Sequence, residues 1–169
     1  MIIVVMGVSG SGKSTIAKTL ARKLHIEYAD ADSFHSAANV AKMSKGEPLT
    51  DADRIPWLES LRSAIETWIK EGRNVTLACS ALKNSYRDIL NVDAKIVRFA
   101  FLKGSYSLFA SRLEKRTTHF MKTTMLKSQF EALEEPDEND ATICDAGQSV
   151  MDIVSQIISA NFDSISSAH

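Results

Sequence analysis

Apolar residues fall into short unbroken runs along this chain, separated by longer stretches in which they recur every three or four positions. Ile2 to Met6, Ile26 to Ala29, Val75 to Cys79, Ile96 to Leu102 and Ala141 to Cys144 are rich in β-branched residues and mostly lack alternation, the signature of strands covered on both faces. Lys13 to Leu24, roughly Arg54 to Lys70, Lys83 to Leu90, Ser105 to Arg116, Thr123 to Leu133 and Val150 to Phe162 carry helical spacing. Strand and helix alternate. The pattern therefore predicts an α/β fold of βαβ units, a parallel sheet with right-handed crossovers and helices on both faces. Ligands of such sheets bind beyond the carboxyl ends of the strands.

Composition narrows this picture. The chain has 169 residues, 44% hydrophobic and 24% charged, which suits a single packed domain over residues 1–169 and argues against disorder or a large two-domain enzyme. Twenty Lys+Arg oppose 21 Asp+Glu for a net charge of -1, so no global basic field points to nucleic acid as a partner. The opening apolar run lacks a basic leader and stops at Gly7, too short for a signal core or a membrane span. Cys79 and Cys144 are too few for a disulfide scaffold, and no Cys/His spacing suggests zinc. The expectation is a cytoplasmic protein without a membrane partner. The acidic stretch Glu131 to Asp145 reads as a solvated loop rather than a metal site, and Trp57, Trp68 and Phe120 read as packing residues.

The segment Gly7-Val8-Ser9-Gly10-Ser11-Gly12-Lys13-Ser14, followed by Thr15, fits G-x-x-x-x-G-K-[ST] between a buried strand and an amphipathic helix. Its glycines allow successive N–H groups to turn inward around phosphate oxygens at the positive end of the helix. Lys13 is placed to reach the β and γ phosphates, and Ser14 to offer its hydroxyl to Mg²⁺. A phosphate loop identifies a nucleoside triphosphate but no particular reaction. No Asn-Lys-x-Asp base-reading motif is present, and the Val75 to Cys79 strand runs into Ser80-Ala81-Leu82 with no carboxylate for the metal. Asp30-Ala31-Asp32 offers two acids in place of it, one for the metal and one for a substrate hydroxyl, unless the pair merely caps a helix.

Several cations suit an anionic substrate. Arg54 stands at a helix start behind Asp51 or Asp53 as cap, where positive charge is disfavoured without an anion; it is a ligand contact or half of a surface ion pair. Arg87 follows the third strand on the expected cleft edge, where a solvated helix face is the competing reading. Arg112, Lys115 and Arg116, with His119 beyond, are either a solvated face or part of a lid that closes over phosphates. His35 and His119 are candidate bases or ordinary hydrogen-bonding histidines.

Beyond the phosphate loop, narrower segments accumulate: Asp30-Ala31-Asp32 with His35, Asn39 with Lys42-Met43, Asp51-Ala52-Asp53-Arg54 with Pro56-Trp57-Leu58, Cys79-Ser80-Ala81-Leu82-Lys83 with Tyr86-Arg87, and His119-Phe120-Met121 with Ser128-Gln129. Together they resemble the gluconokinases, P-loop kinases related to shikimate and adenylate kinases. The resemblance implies a three-layer α/β/α fold on a five-stranded parallel sheet and a mobile helical lid over roughly 116–136; the tail at 163–169 matches nothing in the family and reads as frayed. It implies transfer of the ATP γ-phosphoryl group to the 6-hydroxyl of D-gluconate, with Mg²⁺, in a homodimer. Lys13, Asp32 and Arg116 would then serve the chemistry, with Asp30 and Ser14 near the metal. The phosphate loop from Gly7 through Thr15, with Arg112, would hold nucleotide. Asp32, His35, Arg54, Ser80, Lys83, Arg87 and Gln129 would hold gluconate, with Arg54 and Arg87 as partners for its carboxylate. Ser36 and Asn84 depart from the family pattern and bear on substrate preference.

Overall fold

Ile2–Met6 forms β1, and all five side chains are fully buried. This follows from its place: the computed structural model, which describes residues 1–116 and 121–166, puts β1 in the middle of a five-stranded sheet. The other strands are β2 (Glu27–Asp30), β3 (Val75–Ala78), β4 (Val97–Lys103) and β5 (Thr142–Asp145), in the order β2-β3-β1-β4-β5, and every pairing is parallel. Parallel neighbours need crossovers. These are made by α1 (Lys13–Leu24), α2 (Ala37–Ser44), α3 (Asp51–Lys70), α4 (Asn84–Leu90), α5 (Tyr106–Arg116) and α6 (Met121–Ala132), while α7 (Val150–Ser166) follows the last strand.

Strand period two divides β1 between two cores. Ile2, Val4 and Met6 pack in one core with Leu58, Leu61 and Ile65 of α3. Ile3 and Val5 join the other, with Ile16 and Leu20 of α1, Phe109 of α5 and Val154 of α7. Each such buried aliphatic side chain contributes about 1.5–3 kcal/mol. The result is the expected three-layer α/β/α arrangement, its strand ends gathered beside the turn that joins β1 to α1. Among the described residues no helix is long and apolar enough to cross a membrane.

Four details differ from the sequence pattern. β2 is an edge strand with Glu27 exposed and the rest half-buried, rather than covered on both faces; Arg73 guards that edge, its Nε donating to Glu27 Oε1 at 2.8 Å. A short 3-10 turn (Ala31–Phe34) and α2 were not predicted, because α2 buries only Asn39 and leaves Val40 exposed, so no apolar stripe announces it. α3 starts at Asp51, with Thr50 as its cap rather than Asp51 or Asp53: Thr50 Oγ1 accepts from Asp53 N at 3.1 Å, and Thr50 N donates to Asp53 Oδ2 at 2.9 Å. α7 runs to Ser166, past the end expected at Phe162. The acidic stretch is partnered: Glu135 pairs with Lys103 at 2.6 Å, and Glu134 Oε2 accepts from Asn84 N at 2.6 Å.

Candidate active site

The turn from β1 to α1 leaves donors unspent. Gly10 and Gly12 have φ of +79° and +96°, in the left-handed region that favours glycine, and a Cβ on Gly10 would lie 2.9 Å from the Phe109 carbonyl oxygen. Side-chain oxygens of Ser36, Thr50, Ser105 and Ser149 bond amides at the starts of α2, α3, α5 and α7. α1 has no such cap and no acid in its first turn; its first amide bonded within the helix is Ile16 N, to Gly12 O. The amides of Lys13, Ser14 and Thr15 therefore face outward at the positive helix end, a ready anion site. The Ser11 hydroxyl is buried and unbonded among the described residues. Ser9 N donates to Gln129 Oε1 of α6 at 2.6 Å, so Gln129 stands on the loop rather than simply facing a substrate.

Lys13 is half-buried, and its Nζ donates to Val8 O at 3.0 Å. Burial pushes its pKa down, the Asp32 carboxylate draws it back up, and the Arg116 guanidinium opposes the charge. Arg116 is thus within electrostatic reach of Lys13. An arriving polyphosphate would relieve both cations.

Beside the loop opens a cavity of about 460 Å³. Ser9, Lys13, Asp32, His35, Arg54, Ser80 and Gln129, all anticipated from sequence, line it, along with Trp57. Its walls come from the β1–α1 turn and the start of α1, the end of β3, the 3-10 turn, α2, α3 and α6, so distant segments meet at one strand edge. Asp30 is turned inward instead. Its Oδ1 accepts from Asp32 N and its Oδ2 from the Tyr28 hydroxyl, each at 3.0 Å, so the helix-capping reading holds for Asp30 while Asp32 is left to the cavity. Ser14 and Asp30, the two expected metal oxygens, both bear on the Tyr28 hydroxyl, whose pKa burial pushes up, Ser14 lowers and Asp30 raises. Trp57, expected only to pack, is buried yet stacks on His35 with centroids 4.5 Å apart and planes 9° from parallel.

Two expected substrate residues are engaged elsewhere. Arg87 is buried, its Nη1 donating to Ala81 O at 2.9 Å and Leu82 O at 3.2 Å, its Nη2 to Glu134 O at 2.8 Å and to Asn84 Oδ1. It borders a separate depression of about 730 Å³ near the starts of β4 and β5, and does not line the first cavity. Burial pushes its pKa down, more than the carboxylates of Glu134, Asp140 and Asp88 raise it. Lys83 Nζ lies 3.0 Å from both Asp51 oxygens. Tyr86 donates to the same carboxylate, and Arg54 Nη1 stands 3.8 Å from it, so Arg54 keeps a loose ion pair while facing the cavity. Arg112 Nη2 donates to Ala146 O at 2.6 Å, and its Nη1 lies 3.5 Å from Ser11 O, behind the phosphate loop. Ser14 and Thr15 are exposed at the mouth. His119 and Phe120 lie outside the described residues. Asn39 and Met43, which complete this corner, carried only the family pattern as a signal.

Known proteins match this arrangement. The family profile described as Shikimate kinase matches residues 9–161. The thermoresistant gluconokinase of Escherichia coli (strain K12) is 43% identical over 159 residues, covering 93% of this chain and 91% of that one. A gluconokinase of Gluconobacter oxydans (strain 621H) is 41% identical over 160 residues, covering 95% and 90%. The crystal structure of a gluconokinase from Sinorhizobium meliloti 1021 superposes with a TM-score of 0.85 at 38% identity, covering 99% of this chain and 97% of that one.

Proposed function

From membership of the gluconokinase family, to which this chain belongs, we infer that it transfers the γ-phosphoryl group of ATP to the 6-hydroxyl of D-gluconate, releasing 6-phosphogluconate and ADP. The observation that carries the reading is the uncapped start of α1, with Lys13 and Asp32 facing one cavity across it. The amides of Lys13, Ser14 and Thr15 bind phosphate oxygens, and the Lys13 ammonium follows the charge that moves onto the β–γ bridge as the bond to phosphorus breaks. Asp32 orients the attacking hydroxyl and takes its proton. Arg54 takes the gluconate carboxylate, since Arg87 is spent on backbone carbonyls. His35 and Ser80 meet hydroxyls, and Arg116 adds charge beside Lys13.

Mg²⁺ suits the oxygen-only donors of this corner, with Ser14 as direct ligand and Asp30 in the water shell. Bound there, it would offset phosphate charge. The single domain carries a lid over roughly 116–136, whose described helix α6 already reaches the loop through Gln129; Arg112 backs the nucleotide from α5. The working protein is a cytoplasmic homodimer, which light scattering checks. The activity is tested by ATP consumption with gluconate, shikimate, glycerate and nucleoside monophosphates, the product identified by ³¹P NMR. Only gluconate is expected to give a phosphate monoester; turnover of another acceptor instead would overturn the substrate assignment.

A further inference from the structure

We infer that Asn39, on α2, is a positioning residue that fixes His35 as a neutral imidazole carrying its proton on Nε2, the nitrogen left for the substrate. Asn39 is 6% exposed. Its Nδ2 donates to the Asp53 carbonyl oxygen at 2.8 Å. A carbonyl only accepts, so the group at that point is the amide nitrogen and the orientation of the Asn39 amide is settled chemically. The same nitrogen lies 3.4 Å from His35 Nδ1. An NH₂ group offers hydrogens and no lone pair, so Nδ1 takes part only as acceptor, and the neutral ring holds its hydrogen on Nε2.

The ring is held in this register from a second side. His35 stacks on Trp57, itself pinned by a hydrogen bond from its Nε1 to Ala31 O at 2.7 Å. Turning the ring over would replace Nδ1 by a carbon against Asn39 and lose the contact. The charged groups facing His35 are Asp32 from the 3-10 turn, which favours its cation, and Arg54 from α3, which opposes it; burial opposes it more than either acts. The Asp53 carboxylate is committed to Lys42, 2.9 Å away, and to Thr50. Protonation of Nδ1 would set two donors against each other at Asn39.

The cavity thus presents a fixed donor, His35 Nε2–H, beside a fixed acceptor, the Asp32 carboxylate. An alcohol accepts from the first and donates to the second. Asn39 therefore contributes to polyol recognition without lining the cavity. The identity of the alcohol rests on the gluconate reading above, whereas the tautomer does not.

Two measurements test this. Long-range ¹H–¹⁵N spectra of the whole ¹⁵N-labelled protein, with His35 assigned by its loss in His35→Gln, are expected to show neutral Nε2–H at pH 7.5. In Asn39→Asp a carboxylate replaces the donor, and the His35 pKa is expected to rise, with the proton moving to Nδ1. A charged or Nδ1–H ring in the unmodified protein would overturn the inference, as would Asn39→Asp leaving the tautomer and pKa unchanged. If that variant does not fold, the side-chain series decides. The Gln amide nitrogen reaches the place of Nε2 and the Asn nitrogen that of Nδ1, so the KM for gluconate should be about tenfold higher in His35→Asn than in His35→Gln, the scale of one lost hydrogen bond. The opposite order would overturn the inference. An Nε2–H ring in a protein that phosphorylates some other alcohol would support the tautomer and remove only gluconate.

Discussion

Lys13 is asked to be a cation in a place that disfavours one. Burial lowers its pKa, and its hydrogen-bond partner is the neutral carbonyl of Val8. In the proposed reaction that cost is recovered when negative charge arrives, so the attraction of Lys13 would grow as charge moves onto the leaving oxygen. Lys13→Met keeps the length of the stem and removes the charge. The expected outcome is a kcat lower by about 10²–10³-fold with an unchanged circular dichroism spectrum; a kcat within a factor of a few would place Lys13 outside the reaction. Asp53 shows the reverse balance. Its hydrogen bond from Lys42, followed by that from the Thr50 backbone, holds its pKa at about 2, below the ordinary 3.8. A depressed carboxylate stabilises the fold fully above the unfolded value and loses that contribution as pH falls towards the folded one. Acid unfolding followed between pH 4 and pH 2 should therefore be less steep in Asp53→Asn; an identical acid limb would mean that the pairing with Lys42 contributes nothing.

At the level of elements, the segment after β3 is the least expected feature. Ala81 has φ of +44°, a left-handed conformation that costs a non-glycine residue about 1 kcal/mol or more. Arg87 from the following helix holds Ala81 O, Leu82 O and Glu134 O together. This clamp supports Ser80, whose carbonyl accepts from Gly7 N at 3.3 Å at the root of the phosphate loop. Arg87→Ala should lower stability by about 1–3 kcal/mol, the cost of leaving buried carbonyls unpaired. The change is read by calorimetry, with the KM for gluconate moved little. An unchanged melting temperature with a tenfold higher KM would return Arg87 to the substrate. The sequence places Arg87 on the cleft edge but does not show its carbonyl contacts, because position along a helix does not reveal which carbonyls the fold brings near. The phosphate loop was legible for the opposite reason: its glycines, lysine and serine are consecutive, and their function depends on local backbone shape. α2 and the Asn39–His35–Trp57 arrangement were not legible as geometry, since their partners lie 4 to 22 residues apart and no apolar stripe marks the helix.

For the molecule as a whole, the position of β1 decides how far a ligand's effect spreads. β1 pairs with β3 on one side and β4 on the other, and its side chains feed both cores. Its last residue leads directly into the phosphate loop, and α1 packs on the same central strands. A nucleotide that caps α1 is thus bound to the part of the chain that every other element must leave on unfolding, and its binding energy should appear in global rather than local stability. At a concentration about 100 times its dissociation constant, ATP should add about 2.7 kcal/mol. For a chain of this size, that is a rise in melting temperature of about 5–11 °C. Calorimetry should show one transition displaced intact, with the displacement much reduced in Lys13→Met. A transition that splits in two with ATP, its upper part unmoved, would mean that the loop and α1 open independently of the sheet.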